Sequence, residues 1–273
     1  MAKTLADVQA VVDQLWPASG AESWDAVGLV SGDRGMAVSS ILLAVDPVAD
    51  TVDEAVAAHA DLLLTHHPLL LRGVTTIAED RYKGALLARL IRANCALLAA
   101  HTNADVVANG TSARLASLLG IVDARPIVTS GSDPTTGIGR VGRLATPTTL
   151  GRLARTLADI LPATAGGVLA SGSYDAPITA VALCAGAGDA YVNEPAVLGS
   201  DVYITSDLRH HPASEFRENA RVAGGPALID VSHWASEWLW LDTAAEQLRA
   251  ALTGVTVRVS ELRTDPWDFA VVQ

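Results

Sequence analysis

The chain has 273 residues, half of them hydrophobic, and 30 acidic against 19 basic side chains give it a formal net charge of −11. That is material for one large core or two modest ones and excludes a disordered chain. Without any Lys/Arg cluster, the acidic balance disfavours a nucleic-acid partner, and no uncharged apolar stretch reaches the roughly 18 residues of a membrane span, so no membrane partner is expected. The amino terminus, Met1 to Asp7, lacks the apolar segment and cleavage site of a secretory signal, which makes cytoplasmic the expected location. Cys95 and Cys184, far apart and each in an apolar segment, are expected as buried free thiols of a reducing compartment.

Thr4 and Asp7 frame a capped amphipathic helix through Leu15, stopped before Pro17. Glu22 to Leu29 is loop-like, with Trp24 beside Asp25; the simplest role for Trp24 is to anchor that loop on the core. Ile41–Val45 is a strand, 48–60 a helix, and Leu62–Leu64 a short apolar run of the kind expected for a strand covered on both faces. Helix 82–93, strand 95–100 and helix 111–119 follow, and the alternation predicts a mainly parallel sheet with helices on its faces. Residues 123–134 turn rich in Pro, Ser, Gly and Thr and read as a linker. The second unit then runs as a short strand at 139–144, helix 150–160, strands 168–170, 178–183 and 202–205, helix 213–219, strand 227–231, helix 235–252 and a last strand, 255–259, of unassigned domain. The expected domains are 1–125 and 126–273, the carboxyl-terminal part being able to pack back on the first.

The chemistry sits where apolar runs end. His66 and His67 follow Leu62–Thr65, and Pro68 stops the ladder; both rings serve one site only if the backbone turns there. His101-Thr102-Asn103-Ala104-Asp105 follows the next strand in the same way. Asp105 can ligate a cation, with His101 a ligand or an orienting partner; an Asx turn capping the next helix is the alternative. His233 and Glu237, four apart on a helix, share a face, as a solvated pair also would. Three imidazoles and two carboxylates exceed the usual three protein ligands of one catalytic zinc and suit two metals. Asp207 and the pair His210 and His211 follow the strand at 202–205; Asp207 can orient a ligand or move a proton and His210 or His211 can contact substrate, and a helix cap with exposed histidines is the alternative. Gly186-Ala187-Gly188-Asp189 is either a phosphate cradle or a tight turn.

Trp24-Asp25-Ala26-Val27-Gly28-Leu29, Thr65-His66-His67-Pro68, the run from His101 to Asp105, the run from Ile204 to His211, and the run from His233 to Glu237 together resemble the Nif-three-like family, also labelled GTP cyclohydrolase 1 type 2. The motifs come in the family's order and span nearly the whole chain. The resemblance implies two α/β domains with mixed, mainly parallel sheets facing a metal-containing cleft, a dinuclear centre and a toroidal homohexamer. By motif position the metal ligands are His66, His67, Asp105, His233 and Glu237, with Glu237 bridging. Ala26, Ser206 and Trp234 stand where the family usually has Asn, Gly, and a smaller residue or Tyr; they bear on pocket shape rather than on the ligands. The chain matches the short form of the family, without an inserted domain.

The expected function is a metal-dependent hydrolase acting on a small nucleotide-like or phosphorylated substrate, using two divalent ions per chain, zinc, iron or manganese. Asp207 and His101 are the candidate catalytic, proton-transferring groups. The alternative from another class is a non-catalytic metal-handling or regulatory hexamer.

Overall fold

A computed structural model describes residues 2–271. They divide into two compact units, residues 2–104 with Leu241–Thr264, and Asp105–Trp240 with residues 265–271.

The first unit is built on a five-stranded sheet in the order Thr256–Val259, Ser40–Ala44, Leu62–Thr65, Ala96–Ala99 and Gly28–Ser31. The first four strands are parallel and Gly28–Ser31 closes one edge antiparallel. Alternation along the strands explains why the central ones are apolar without interruption. Leu42, Leu63 and Leu97 pack with Val52, Ala55, Leu86, Leu87 and Leu90 from helices Ala49–Ala57 and Tyr82–Arg92. Ile41, Leu43, Leu62, Leu64 and Leu98 point the other way and are equally buried. Truncating one such leucine to alanine costs about 2–5 kcal/mol. Helix Leu5–Leu15 starts at the expected capping box: the Asp7 amide donates to Thr4 Oγ1 at 3.2 Å and the Thr4 amide to Asp7 Oδ2 at 2.8 Å.

The second unit carries a six-stranded sheet, Leu169–Ser171, Ala227–Val231, Val202–Ser206, Pro177–Ala187, Arg140–Thr149 and Ile121–Arg125. Only its middle three strands are mutually parallel, so this sheet is mixed. Tyr203, Ala182, Cys184, Val197, Phe216 and Leu228 form part of its core. Helix Leu150–Ile160 buries Leu150, Leu153 and Leu157 at helical spacing, and Thr149 caps it.

The linker and the lengths of three elements differ from expectation, and the unassigned last strand finds its sheet. Residues 123–134 are not a linker: Ile121–Arg125 is an edge strand of the second sheet, and Val128–Thr129 pairs with Gly137–Ile138. The compact units part between Ala104 and Asp105, and Leu241–Thr264 belongs with the first. The polar, glycine-containing composition of 123–134 reflects exposed edge positions, which resemble a linker in sequence. The last strand, Thr256–Val259, joins the first sheet beside Ser40–Ala44, a long-range pairing that composition does not encode. Strands Arg140–Thr149 and Pro177–Ala187 and helix His210–Ala223 run several residues beyond their apolar cores. No helix among the described residues is long and apolar enough to cross a membrane.

Candidate functional site

In the first unit the strand Leu62–Thr65 delivers its histidines by continuing the ladder past its end. The His66 amide donates to the Ala44 carbonyl at 3.0 Å and the His67 amide to Val45 at 2.8 Å. Thr65 then turns the chain, its hydroxyl donating to the His67 carbonyl at 2.8 Å. The turn places both rings on one side, with centroids 5.1 Å apart. His101, two residues beyond strand Ala96–Ala99, completes a triangle at 5.2 Å from His66 and 5.3 Å from His67. One ligating atom from each of the three lies within 4.8 Å of the others.

Each of the three rings is aimed through its Nδ1. His66 Nδ1 is 2.9 Å from the Ala100 carbonyl, His67 Nδ1 2.7 Å from Asp46 Oδ1, and His101 Nδ1 2.9 Å from Asp25 Oδ1. Carbonyl and carboxylate oxygens only accept, so each Nδ1 carries the proton and each Nε2 the lone pair. This is how proteins orient imidazoles for metal ligation. Asp46 also accepts from the Thr264 hydroxyl, and Asp25 from the Thr102 amide and hydroxyl. Burial pushes the Asp25 carboxyl up, but the bonds from Thr102 and His101 outweigh it and hold its pKa below the usual carboxylate value.

In the second unit, Ser232 caps helix His233–Ala251, accepting from the Ala235 amide at 3.2 Å and donating to Asp265 at 2.5 Å. His233 is the first helical residue. Its Nδ1 lies 2.6 Å from Asp207 Oδ2 and its Nε2 2.9 Å from Glu237 Oε1. Burial disfavours the imidazolium, but the two flanking carboxylates prevail and hold the His233 pKa well above its ordinary value. Asp207 reaches this position in the left-handed region, at φ 57°, just past strand Val202–Ser206, a conformation Asp tolerates better than most residues. Glu237 is buried, and room for it comes from Gly186: at φ 72°, a Cβ there would stand 2.3 Å from Glu237 Oε1. The Gly186 amide donates to Ser236 Oγ, which in turn donates to the His233 carbonyl. Asp105 is buried too; its Oδ1 accepts from Thr111 at 2.6 Å. Near its charge lies the buried Arg140 guanidinium, which donates to the carbonyls of Gly137, Gly139 and Val107.

The structure therefore groups His66 and His67 with His101 in the first unit, and His233 with Glu237 and Asp207 in the second. His101 shares the geometry of a ligand, and Asp207 that of an orienting carboxylate. His210 and His211 are exposed in the first turn of helix His210–Ala223, 5.3 Å ring to ring. Only a three-residue 3-10 turn, Asp189–Tyr191, follows Gly186-Ala187-Gly188-Asp189, so the tight turn is what forms. Asp46 was invisible to motif reading, although it follows an apolar strand as the histidines follow theirs. Trp24 is 58% exposed and does not anchor its loop on the core; Asp25 does that. Cys95 and Cys184 are buried and free, and burial pushes their thiols up to about 11 and about 12, far from nucleophilic use at neutral pH.

Mixed α/β units with imidazoles and carboxylates gathered beyond the carboxyl ends of parallel strands define a class of protein whose histidine and glutamate clusters can hold a metal ion. The chain belongs to the Duf34/NIF3 (NGG1p interacting factor 3) family, whose pattern matches residues 3–266. It is 46% identical to a Streptomyces coelicolor protein named GTP cyclohydrolase 1 type 2 homolog, over 96% of this chain and 93% of that one. A Mycobacterium tuberculosis protein of the same name is 33% identical, covering 98% of each; that alignment runs over 376 positions, so the relative carries residues this chain lacks. Among solved structures, a hypothetical protein of Staphylococcus aureus superposes with a TM-score of 0.88 at 26% identity, covering 99% of this chain and all of that one. A Bacillus cereus protein related to NIF3 superposes at 0.87 and 20% identity, with the same coverage.

Proposed function

We propose that the chain is a dinuclear metal-dependent hydrolase acting on a small nucleotide-like or phosphorylated substrate. The observation that carries this reading is the set of three imidazoles whose Nδ1 atoms are all held by oxygen acceptors while their ligating atoms gather within 4.8 Å. A core histidine serving only packing needs neither that orientation nor two like neighbours. The relatives named GTP cyclohydrolase 1 type 2 homolog support the substrate class.

In this reading His66, His67, Asp105, His233 and Glu237 would hold two divalent cations, zinc, iron or manganese. Nitrogen and carboxylate donors of this kind fit all three metals. Bound cations supply Lewis acidity toward a substrate oxygen and acidify water near neutral pH. Asp46 and Asp207 keep the rings of His67 and His233 aimed. His101, fixed by Asp25, moves a proton at Nε2. An acidic chain draws an anionic substrate through the cations rather than through its own surface. We further propose a cytoplasmic homohexamer, which light scattering tests directly.

The test is elemental analysis of the purified, unchelated protein beside His67→Ala and Glu237→Ala, followed by turnover on a nucleotide and phosphoester panel. About two divalent ions per chain are expected, falling sharply in both variants. His101→Ala should keep its metal and lose turnover. Negligible metal after reconstitution with zinc, manganese and iron overturns the metal centre; full metal without turnover on the panel supports the metal-handling alternative.

A further inference from the structure

Trp24 and Asp25 are neighbours with opposite fates. The Asp25 side chain is fully buried, while Trp24 is 58% exposed. Asp25 gathers four hydrogen bonds, from the Ala26 amide at 2.7 Å, His101 Nδ1 at 2.9 Å, the Thr102 amide at 3.1 Å and the Thr102 hydroxyl at 2.5 Å. Two more bonds tighten the loop: the Asp25 amide donates to the Glu22 carbonyl at 3.0 Å, and the Glu22 amide to Thr102 Oγ1 at 2.9 Å. The loop is thus tied onto the segment that carries His101, and the indole is held outside the core by a rigid mount.

The indole's position is specific. It meets the His101 ring at a centroid distance of 5.9 Å and an interplanar angle of 76°, an edge-to-face contact. Such a contact occupies at most one face of the indole and leaves the other open. His101 in turn touches His66 and His67. An exposed, pre-oriented aromatic face therefore stands one ring away from the imidazole cluster. Two χ angles and a large π surface make Trp a low-entropy platform for flat rings, and stacking tolerates any base because every base has a π face.

We propose that Trp24 is the stacking platform for the planar heteroaromatic ring of the substrate, holding that ring beside the His66, His67 and His101 cluster. The inference rests on the hydrolase reading for where the reacting atoms lie, and it narrows the substrate to molecules with a flat, nucleobase-like ring. A phosphorylated sugar without such a ring gains nothing from this surface.

The test is calorimetric titration of wild type, Trp24→Ala and Trp24→Phe with GMP and with ribose 5-phosphate, probes that differ by the base, each with and without added zinc and with metal content measured on the same samples. Wild type should favour GMP by roughly five- to 150-fold, the usual reach of stacking. Trp24→Ala should lose that preference with unchanged ribose 5-phosphate affinity and unchanged metal content, and Trp24→Phe should keep most of it. An equal preference in Trp24→Ala, or no preference for GMP in wild type, overturns the proposal. Because preference and metal content are read separately, a chain that binds no metal but still prefers GMP through Trp24 would sink the hydrolase reading and leave the platform standing.

Discussion

Both units repeat one device with different endings. In each, an aspartate just before the second parallel strand in chain order clamps the strand before it: Asp61 accepts from the Ser39 and Ser40 amides, and Asp201 from the Thr179 and Ala180 amides. In each, the third parallel strand is followed two residues later by an imidazole, His101 after Ala96–Ala99 and His233 after Ala227–Val231. The second parallel strands end differently, Leu62–Thr65 in His66-His67 and Val202–Ser206 in Asp207. The first unit thus offers nitrogen donors, with its carboxylates one step behind them. The second offers a buried carboxylate, Glu237, directly, in an ion pair with its imidazole. The strands fix where the imidazoles stand, while Glu237 comes from the helix that follows, one turn beyond His233.

This contrast can be broken at the orienting carboxylates. Asp46→Asn and Asp207→Asn each keep an acceptor for the ring but remove its charge. Each should weaken divalent-cation affinity about 10- to 100-fold by competition with a chelating dye. Equal metal affinity in both variants and wild type would show that these carboxylates orient nothing the metal needs.

A second comparison lies within the second unit. Gly186→Ala meets both a positive φ and Glu237 Oε1, whereas Gly120→Ala, at φ 68° with open space around it, meets strain alone. Thermal or urea unfolding should show about 2 kcal/mol lost for the first and about 1 kcal/mol for the second. Metal content should fall only in the first. Equal losses would mean that the close approach to Glu237 is relieved at no cost.

The smallest effect is the pH dependence of Asp230. Burial first, and the nearby Asp207 charge, lift its carboxyl from the ordinary 3.8 to about 6, against a bond from the Leu208 amide. A carboxyl raised in the folded state binds more protons there than in the unfolded chain, so its contribution to stability declines as pH climbs from about 4 to about 6 and stays low above that. Asp230→Asn should therefore be more stable than wild type at pH 7.5, by about 1 kcal/mol after allowing for partial exposure, and equally stable near pH 4, as read by urea unfolding. A gain of the same size at both pH values would assign the effect to something other than ionisation.

Much of the first sheet was legible because its strands are short, apolar and buried on both faces, and because Thr4 and Asp7 announce their helix directly. The histidines were legible for a related reason: a polar pair that interrupts an apolar run at a proline marks a strand end. Asp46 and Gly186 were not. One is a single aspartate after a strand and the other a glycine in a weak motif, and their roles exist only through His67 and Glu237. Trp24 departs from its expected burial because tertiary contacts decide which neighbour in that loop, the indole or the Asp25 carboxylate, is drawn inward.

By itself, then, the sequence determined the local elements, the donor residues and their order along the chain, since periodicity, caps and strand ends are written in consecutive residues. Only the tertiary structure decided that Thr256–Val259 completes the first sheet, that Ile121–Arg125 is an edge strand of the second, and that Asp25, Asp46 and Asp207 hold the imidazoles. Those are contacts between residues about 20 to more than 200 positions apart. Such pairings are fixed by packing and by the need to satisfy buried polar groups, which no local pattern records.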